Sequence, residues 1–238
     1  MNVALIFAGG TGQRMSGHTK PKQFLELHGK PVIIYTLEHF ERHRDIENIV
    51  VVCLEDWIAE LWRDIRRYDI HKVSHVIKGG ETGHESIYNG LLHMAQMTKE
   101  DDLVLIHDGV RPLINEDIIS ANIEKARTHG TAITIEAATE SVVRVGRNDL
   151  ITDVPTRAEM YVAKAPQTFS FGLIMDLYQR AHDDGILSID SAHLCSIYGL
   201  EMHTVLSAPN NIKITAPQDY YIFRALYEAM ENRQILGL

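Results

Sequence analysis

Short apolar runs rich in β-branched residues alternate with stretches of helical periodicity along most of this chain. The run Leu103–His107 is continuous, and its first four residues, Leu-Val-Leu-Ile, are all apolar. Unbroken apolar strands are typical of parallel sheets that are covered on both faces. Because helical patterns separate the runs, the sequence predicts an α/β fold with a mostly parallel sheet and helices on both faces.

The pattern gives positions for these elements. The predicted strands are Val3–Phe7, Ile49–Leu54, His75–Lys78, Leu103–His107, Ala132–Ala137 and His203–Leu206. The predicted helices begin after Pro31, span Asp56–Tyr68, surround Ile87–Met94, span Asn115–His129 up to Gly130, and lie at Gly172–Asp183, at Ser191–Ile197 and from Pro217 onward.

Residues 139–164 differ from the rest of the chain. From Ser141 to Lys164 polar and apolar residues alternate around a Gly-Arg-Asn-Asp turn. This pattern predicts an antiparallel β-hairpin. A chain of 238 residues, 45% of them hydrophobic, can bury one sizeable core. We therefore predict a single domain over residues 1–238, from which residues 139–164 leave as a β-arm.

The charge balance excludes some classes of partner. The chain has 23 basic and 32 acidic residues, a formal net charge of −9 and no basic cluster. It therefore offers no electrostatic footprint for nucleic acid or for an anionic membrane surface. No apolar run has the length of about 20 residues that a membrane helix needs.

The cysteines and the first residues suggest a compartment. Cys53 and Cys195 stand in apolar surroundings without a partner motif, so we predict buried thiols of a reducing compartment. The first residues lack the basic start and cleavage site of a secretory signal. We therefore expect the cytoplasm.

The first predicted strand leads into a glycine-rich loop, Ala8-Gly9-Gly10-Thr11-Gly12. Glycines after a strand let backbone N–H groups approach phosphate closely. The dinucleotide and P-loop fingerprints both fail, because Met15 and His18 occupy their glycine and lysine positions. Arg14 and Lys22 add cations that suit a triphosphate. The alternative is a solvated basic loop.

Asp108 directly follows the apolar run Leu103–His107. Open α/β sheets bind ligands at the carboxyl ends of their strands, and a carboxylate there can hold Mg²⁺ against phosphate oxygens. The alternative is that Asp108 caps a turn and pairs with Arg111. Lys213, between apolar neighbours, points either into a cleft or into water, and Arg157 taken alone is a surface residue.

Taken together and in order, several segments resemble one enzyme family. They are Ala-Gly-Gly-Thr-Gly-x-Arg-Met, Pro-Lys-Gln-Phe-Leu-Glu-Leu, Gly79-Gly80 with Ser86-Ile, His-Asp-x-x-Arg-Pro, Ala165-Pro-Gln-Thr-Phe169 and Asn-Ile-Lys-Ile-Thr. In this arrangement the chain resembles the cytidylyltransferases that act on methylerythritol phosphate and ribitol phosphate. The resemblance covers nearly the whole chain.

The resemblance implies a Rossmann-like nucleotidyltransferase sheet, a homodimer joined through the protruding hairpin arm, CTP and a polyol phosphate as substrates, and Mg²⁺ as cofactor. It implies roles for the following residues: CTP binding by Ala8, Gly9, Gly10, Thr11, Gly12, Gly79, Gly80 and Ser86; catalysis by Arg14, Lys22 and Lys213; Mg²⁺ binding by Asp108; and acceptor binding by Asp108, Arg111, Glu140, Ser141 and the partner subunit's Arg157.

The sequence also bears on the acceptor. Three segments resemble the ribitol-5-phosphate enzymes of teichoic-acid synthesis more closely than the isoprenoid enzymes: Ala8-Gly-Gly-Thr-Gly12, Phe24-Leu-Glu-Leu and Ile151–Arg157. The chain departs from the family pattern at Gly83, where an arginine is usual, and at Glu140-Ser141, where Asp-Thr is usual. We predict ribitol 5-phosphate. The alternatives are methylerythritol phosphate, or a non-catalytic nucleotide-binding module on the same fold.

Overall fold

The structure is a computed structural model that describes residues 1–9, 20–208 and 210–236, the last four by backbone alone. Its strands are β1 (Asn2–Ala8), β2 (Glu26–Leu27), β3 (Lys30–Pro31), β4 (Asn48–Cys53), β5 (Val73–Lys78), β6 (Leu103–Asp108), β7 (Thr131–Ala137), β8 (Arg144–Val145), β9 (Ile151–Asp153), β10 (Tyr161–Ser170) and β11 (Thr204–Leu206). Its helices are α1 (Val32–Arg42), α2 (Ile58–Arg67), α3 (Gly83–Met94), α4 (Glu116–His129), α5 (Phe171–Asp183), α6 (Ser191–Ile197) and α7 (Pro217–Leu236). Within the described ranges no helix is long and apolar enough to cross a membrane.

Seven strands form the central sheet, in the order β11-β7-β10-β6-β1-β4-β5. All neighbouring strands in it are parallel except those beside β10, which runs antiparallel to β6 and to β7. The mostly parallel sheet is therefore confirmed, and so are the six predicted strands within two residues at each end. The sequence did not predict β10, because Pro166 and the polar residues Gln167 and Thr168 interrupt its apolar pattern.

Helices cover both faces of this sheet, as predicted. In β1, Ala4 and Ile6 pack with α1, α2 and α4, whereas Val3 and Leu5 pack with α3 and α5. Successive side chains of a strand point to opposite faces, so a wholly apolar strand needs apolar partners on both sides. The core is thus two apolar layers with the sheet between them.

The predicted hairpin exists but is shorter than the alternating pattern suggests. β8 pairs with β9 antiparallel, around a turn in which Asn148 and Asp149 have positive φ. The last part of the predicted arm belongs to β10, where Tyr161 lies opposite Ala137 of β7 in the central sheet. The alternation near Tyr161 therefore reflects pairing with β7. Nearly all side chains from residue 139 to residue 163 are exposed.

Cys53 and Cys195 are free and buried, as predicted. Burial raises the pKa of each thiol to about 12, so both stay protonated at neutral pH. They act as small apolar side chains of the core.

Two glycines at helix ends give opposite predictions for stability. Gly83 opens α3 with ordinary φ, and a Cβ there would meet no atom within 4 Å. Gly130 closes α4 with φ +76°, a conformation that disfavours other residues. We expect Gly83→Ala to raise the free energy of unfolding by about 0.4–1 kcal/mol, and Gly130→Ala to lower it by about 1–2 kcal/mol. Urea unfolding of the two variants measures both changes in the free energy of unfolding. If the two changes had the same sign, the backbone conformations described for Gly83 and Gly130 would be contradicted.

Candidate active site

The carboxyl ends of the central strands meet at one edge of the sheet. In the parallel register Phe7 of β1 lies opposite Asp108 of β6, and Ala8 lies opposite Cys53 of β4. The glycine-rich segment that follows β1 therefore starts beside the end of β6, and the glycines that follow β5 lie at the same edge, with β1 and β4 between β5 and β6. This is the edge at which open α/β sheets place their ligands.

Asp108 lies at this edge between two cations. Arg111 Nε donates a hydrogen bond of 2.7 Å to Asp108 Oδ2, and Lys213 Nζ lies 2.5 Å from Asp108 Oδ1. The aspartate is 4% exposed and the arginine 7%. Burial alone raises the pKa of Asp108, but the charges of Lys213 and Arg111 outweigh it and hold this pKa well below its usual range. The carboxylate is therefore ionised at neutral pH.

Hydrogen bonds of a buried asparagine, Asn211, attach the segment that carries Lys213 to Arg111 and to β10. Arg111 Nη1 donates to the backbone oxygen of Asn211 at 3.0 Å, and Asn211 Nδ2 donates to the backbone oxygen of Ala165 at 2.7 Å. The backbone N–H of Ile214 donates to the oxygen of Val110. The segment that carries Lys213 is thus attached to the turn that follows β6 and to β10.

His107, next to Asp108, is fully buried. Burial lowers the pKa of His107 to about 3, even though the charge of Asp108 opposes this shift. Its Nε2 lies 3.3 Å from the backbone oxygen of Arg111, which can only accept, so Nε2 carries the proton. A neutral, buried imidazole in this position supports the turn and is no proton shuttle at neutral pH.

A cavity of about 290 Å³ opens in front of the ion cluster. Its walls combine Asp108, Arg111 and Lys213 with apolar and polar side chains of β1, α3, β10 and the α5–α6 loop. These further lining residues include Phe7, Ile87, Ile106, Gln167, Ile189 and Asp190. A cavity of this volume, in which charged and polar residues make up about half of the lining, suits a small polar ligand. The cations make it suitable for an anionic one.

A second cavity, of about 650 Å³, lies beside the glycines that follow β5. Gly9, Gly79 and Ser86 meet there so closely that a Cβ on either glycine would lie within 2.9 Å of Ser86 Oγ. That hydroxyl oxygen accepts a hydrogen bond from the backbone N–H of Gly80 at 3.1 Å. The absence of side chains at Gly9 and Gly79 thus lets Ser86 pack directly against the backbone of both segments, which fixes the wall of the cavity.

Known proteins are similar to this chain in sequence and in fold. The family model for 2-C-methyl-D-erythritol 4-phosphate cytidylyltransferase (IspD) matches residues 2–228. The chain belongs to this family. It is 50% identical over 238 residues to a ribitol-5-phosphate cytidylyltransferase from Vibrio parahaemolyticus, and the match covers 100% of both chains. It is 32% identical over 229 residues to a 2-C-methyl-D-erythritol 4-phosphate cytidylyltransferase from Clostridium botulinum, covering 96% of this chain and 98% of that one.

The fold is also shared with a solved structure. A 4-diphosphocytidyl-2C-methyl-D-erythritol synthase from Anaerococcus prevotii superposes with a TM-score of 0.83 at 25% identity, covering 95% of this chain and 96% of that one. The resemblance to the family, and the closer likeness to its ribitol-5-phosphate members, are therefore confirmed. Family membership shows the class of enzyme, whereas the roles of individual residues rest on the geometry of this chain.

The structure brings together many of the residues predicted for the site. Gly79, Gly80 and Ser86 line or adjoin the second cavity, next to Ala8 and Gly9 at the end of β1. Asp108, Arg111 and Lys213 form the ion cluster described above. The pairing of Asp108 with Arg111, which the sequence offered as an alternative to a ligand site, does occur, and Lys213 joins it from 105 positions away.

Other predicted residues lie elsewhere. Gly10, Thr11, Gly12 and Arg14 fall outside the described residues. Glu140, Ser141 and Arg157 are exposed on the arm and line neither cavity in a single chain.

Lys22 lies in a short 3₁₀ helix, Lys22–Phe24, within electrostatic reach of Asp219. Burial raises the pKa of Asp219, but hydrogen bonds from Thr215 and Ala216 and the charge of Lys22 lower it overall. This places Lys22 near the segment that carries Lys213.

Three polar residues that shape the site were not predicted. Gln23 is 1% exposed and its Nε2 donates to the backbone oxygen of Ala8 at 2.7 Å, which anchors the start of the glycine-rich loop. Gln167 and Asp190 line the first cavity. Gln23 and Gln167 lie within segments that carry the family resemblance, and this position within a shared motif was the available signal.

The two hydrogen bonds of Arg111 give a direct prediction. A lysine at this position has its three donors on one nitrogen and lacks the planar guanidinium, whose separate nitrogens reach Asp108 and the oxygen of Asn211, so one buried group loses its partner. We expect Arg111→Lys to lower the free energy of unfolding by about 1–3 kcal/mol. The matched control is Arg63→Lys, because Arg63 is exposed and its one ion pair among the described residues is with Glu60, at 3.8 Å. Equal stability of the two variants in urea unfolding would contradict the bridging role.

Proposed function

We propose that this chain transfers the cytidylyl group of CTP to a polyol phosphate, with ribitol 5-phosphate as the favoured acceptor, and releases pyrophosphate. The observation that carries this proposal is the 50% identity, over the full length of both chains, to a ribitol-5-phosphate cytidylyltransferase. The family model takes its name from the methylerythritol enzymes, so methylerythritol phosphate is the competing acceptor.

The reaction needs no nucleophile from the protein. An oxygen of the acceptor phosphate attacks the α-phosphorus of CTP, a new P–O bond forms, and the bond to the β-phosphate breaks as pyrophosphate leaves with the electron pair. Attack of one anion on another requires that their charges be offset and their positions fixed. Cations meet both requirements, and the site contains two of them, Arg111 and Lys213, beside the buried carboxylate of Asp108.

Each of the two cavities binds one substrate. CTP lies over the glycine-rich segments, with its cytosine by Gly79, Gly80 and Ser86 and its phosphates on the loop from Ala8 to Gly12. Arg14 and Lys22 neutralise the triphosphate. The acceptor enters the first cavity, where Arg111 binds its phosphate and Lys213 faces the reacting α-phosphate. Exposed backbone N–H groups and a nearby cation are the common means of holding phosphate.

Asp108 is the residue that would hold Mg²⁺. Within the described residues no cluster of three or more His, Cys, Asp or Glu side chains could bind a metal. Mg²⁺ is commonly held by one or two carboxylates with phosphate oxygens and water, and Asp108 fits that mode. Its Oδ2 accepts from Arg111 and its Oδ1 is buried against Lys213, so Oδ1 would be the oxygen that binds Mg²⁺, in exchange for its contact with Lys213. Bound there, Mg²⁺ would offset charge on the phosphates.

A second copy of the chain would complete the site. The arm exposes a set of large apolar side chains, which include Val142, Val143, Val145, Leu150, Ile151 and Val154. Apolar side chains grouped in this way mark an interaction surface, and homodimers are the commonest assembly. In the dimer, Arg157 of one subunit reaches the acceptor cavity of the other, and Glu140 and Ser141 at the start of the arm contact the acceptor.

The organisation and location follow from the same features. Residues 1–238 form one catalytic domain with residues 139–164 as its arm. Two buried free thiols are compatible with a reducing compartment, and we place the enzyme in the cytoplasm.

A competition assay tests the proposed acceptor. We expect the protein, given CTP, Mg²⁺ and equal concentrations of ribitol 5-phosphate and methylerythritol phosphate, to form mainly CDP-ribitol, with one pyrophosphate per product. Mass spectrometry of the products and a pyrophosphate assay measure this. A methylerythritol product in excess would assign the other acceptor, and no product from either would overturn the proposed function.

Subunit mixing tests the shared site. Arg157→Ala and Lys213→Ala chains should each be nearly inactive alone, since each homodimer has the same defect in both sites. After subunit exchange, one site of each heterodimer has Lys213 and the partner's Arg157 intact, so up to about a quarter of wild-type activity should return.

The control for this experiment mixes Lys22→Ala with Lys213→Ala chains. Both lysines belong to the same subunit's site, so every site in this heterodimer keeps one defect and no activity should return. Recovery in neither mixture, with exchange shown by native mass spectrometry, would place Arg157 in its own subunit's site or outside it.

A further inference from the structure

We propose that Asp190 binds the hydroxyl groups of the acceptor and so orients the polyol chain in the cavity that also contains Arg111 and Lys213. This inference rests on the proposed function and adds a residue that determines which acceptors are used. Asp190 lies in the loop between α5 and α6, far along the chain from both cations.

The charges around the cavity dictate how an acceptor can lie in it. Arg111 and Lys213 attract a phosphate, and Lys164, the third cation of the lining, is already paired with Glu136 at 2.6 Å. Asp190 repels a phosphate but accepts hydrogen bonds from hydroxyl groups. A molecule with a phosphate at one end and hydroxyls along its chain therefore has one favourable orientation, with the phosphate at the cations and the hydroxyls at Asp190.

Asp190 has one oxygen committed to the fold and one available to a ligand. Oδ1 accepts a hydrogen bond of 2.8 Å from the backbone N–H of His193, which makes Asp190 the N-cap of α6. No described residue donates to Oδ2. Serine, asparagine and threonine also cap helices, so the cap alone does not require a second oxygen.

Hydrogen bonds from three other elements hold the Asp190 segment in place. His84 Nδ1 lies 3.1 Å from Ser188 Oγ, and the hydroxyl of Tyr178 lies 3.0 Å from Ser191 Oγ. Gln167 Oε1 accepts from the backbone N–H of Ala192 at 2.9 Å. A carboxylate held in this way is positioned before the ligand arrives, which lowers the cost of ordering it on binding.

Room for the polyol is provided beside these groups. Gly83 also lines the cavity, and a Cβ at that position would meet no atom within 4 Å. Gln167 is 6% exposed, and only one of its two amide hydrogens has an acceptor among the described residues, the backbone oxygen of Lys164 at 3.4 Å. Two groups in the cavity can therefore bind the hydroxyls of a polyol: Oδ2 of Asp190 as an acceptor and an N–H of the Gln167 amide as a donor.

The test is Asp190→Ser, which keeps an N-cap oxygen and removes Oδ2. We expect the KM for ribitol 5-phosphate to rise at least about tenfold, while the KM for CTP and the melting temperature stay close to wild type. The preference for ribitol 5-phosphate over glycerol 3-phosphate, as a ratio of kcat/KM values, should shrink. Glycerol 3-phosphate has the phosphate but fewer hydroxyl groups. If the substitution only distorted the site, kcat/KM would fall equally for the two acceptors and their ratio would not change.

The matched control is Asn115→Ser. Asn115 caps α4 through a side-chain bond to the N–H of Ile118 and lines neither cavity, so this change should leave both KM values unaltered. An unchanged acceptor KM and an unchanged ratio in Asp190→Ser would overturn the inference while the proposed function stands. If the wild-type protein uses no polyol phosphate, the proposed function fails, and the inference fails with it.

Discussion

The buried carboxylate of Asp108 governs the geometry of the site. A charge removed from water is costly unless it is paired, and removing one partner of a buried pair destabilises a protein by about 3–5 kcal/mol. Asp108 therefore needs both Arg111 and Lys213, one on each oxygen. Arg111 is three residues away in the same turn, but Lys213 comes from the far end of the chain. The ion cluster thus draws the segment around Lys213 to the end of β6.

This pairing also prepares the cations for a substrate. Arg111 is fixed by Asp108 and by the backbone of Asn211, while Lys213 is 37% exposed at its side chain and faces the cavity. Cations that are already oriented need little reorganisation when a phosphate arrives. A second carboxylate in the same cavity, that of Asp190, excludes the phosphate from its own neighbourhood. Placement of charge, rather than a reactive side chain, accounts for the chemistry that the site supports.

The sequence predicted those elements whose signal is local. Apolar runs located six strands of the central sheet, and α6 begins and ends where its pattern predicted, at Ser191 and Ile197. β10 was not predicted because Pro166 and two polar residues break its pattern, although the segment is buried between β6 and β7. The length of the hairpin was wrong because alternation shows that a strand has two faces but not which strand is its partner.

The residues of the site, too, fall into those that the sequence predicted and those that only the fold reveals. The position of Asp108 after an apolar run placed it at the ligand-binding edge, and the family resemblance named Lys213, but no local pattern shows that the two side chains touch across 105 positions. Asp190 carries no signal at all in the sequence, since an aspartate before a short helix is an ordinary cap. Its second role depends on the cavity, which only the folded chain defines.

A crystal structure of the protein with bound CDP-ribitol tests the whole account most directly. The account predicts that an oxygen of the phosphate attached to ribitol lies about 3 Å from a nitrogen of Arg111, and that an oxygen of the cytidylyl phosphate lies about 3 Å from Lys213 Nζ. It also predicts that a ribitol hydroxyl contacts Oδ2 of Asp190 and that the cytosine lies against Gly79 and Gly80. Cytosine in the cavity of Asp108, or a ribitol chain that lies away from Asp190 with its phosphate remote from Arg111, would contradict it.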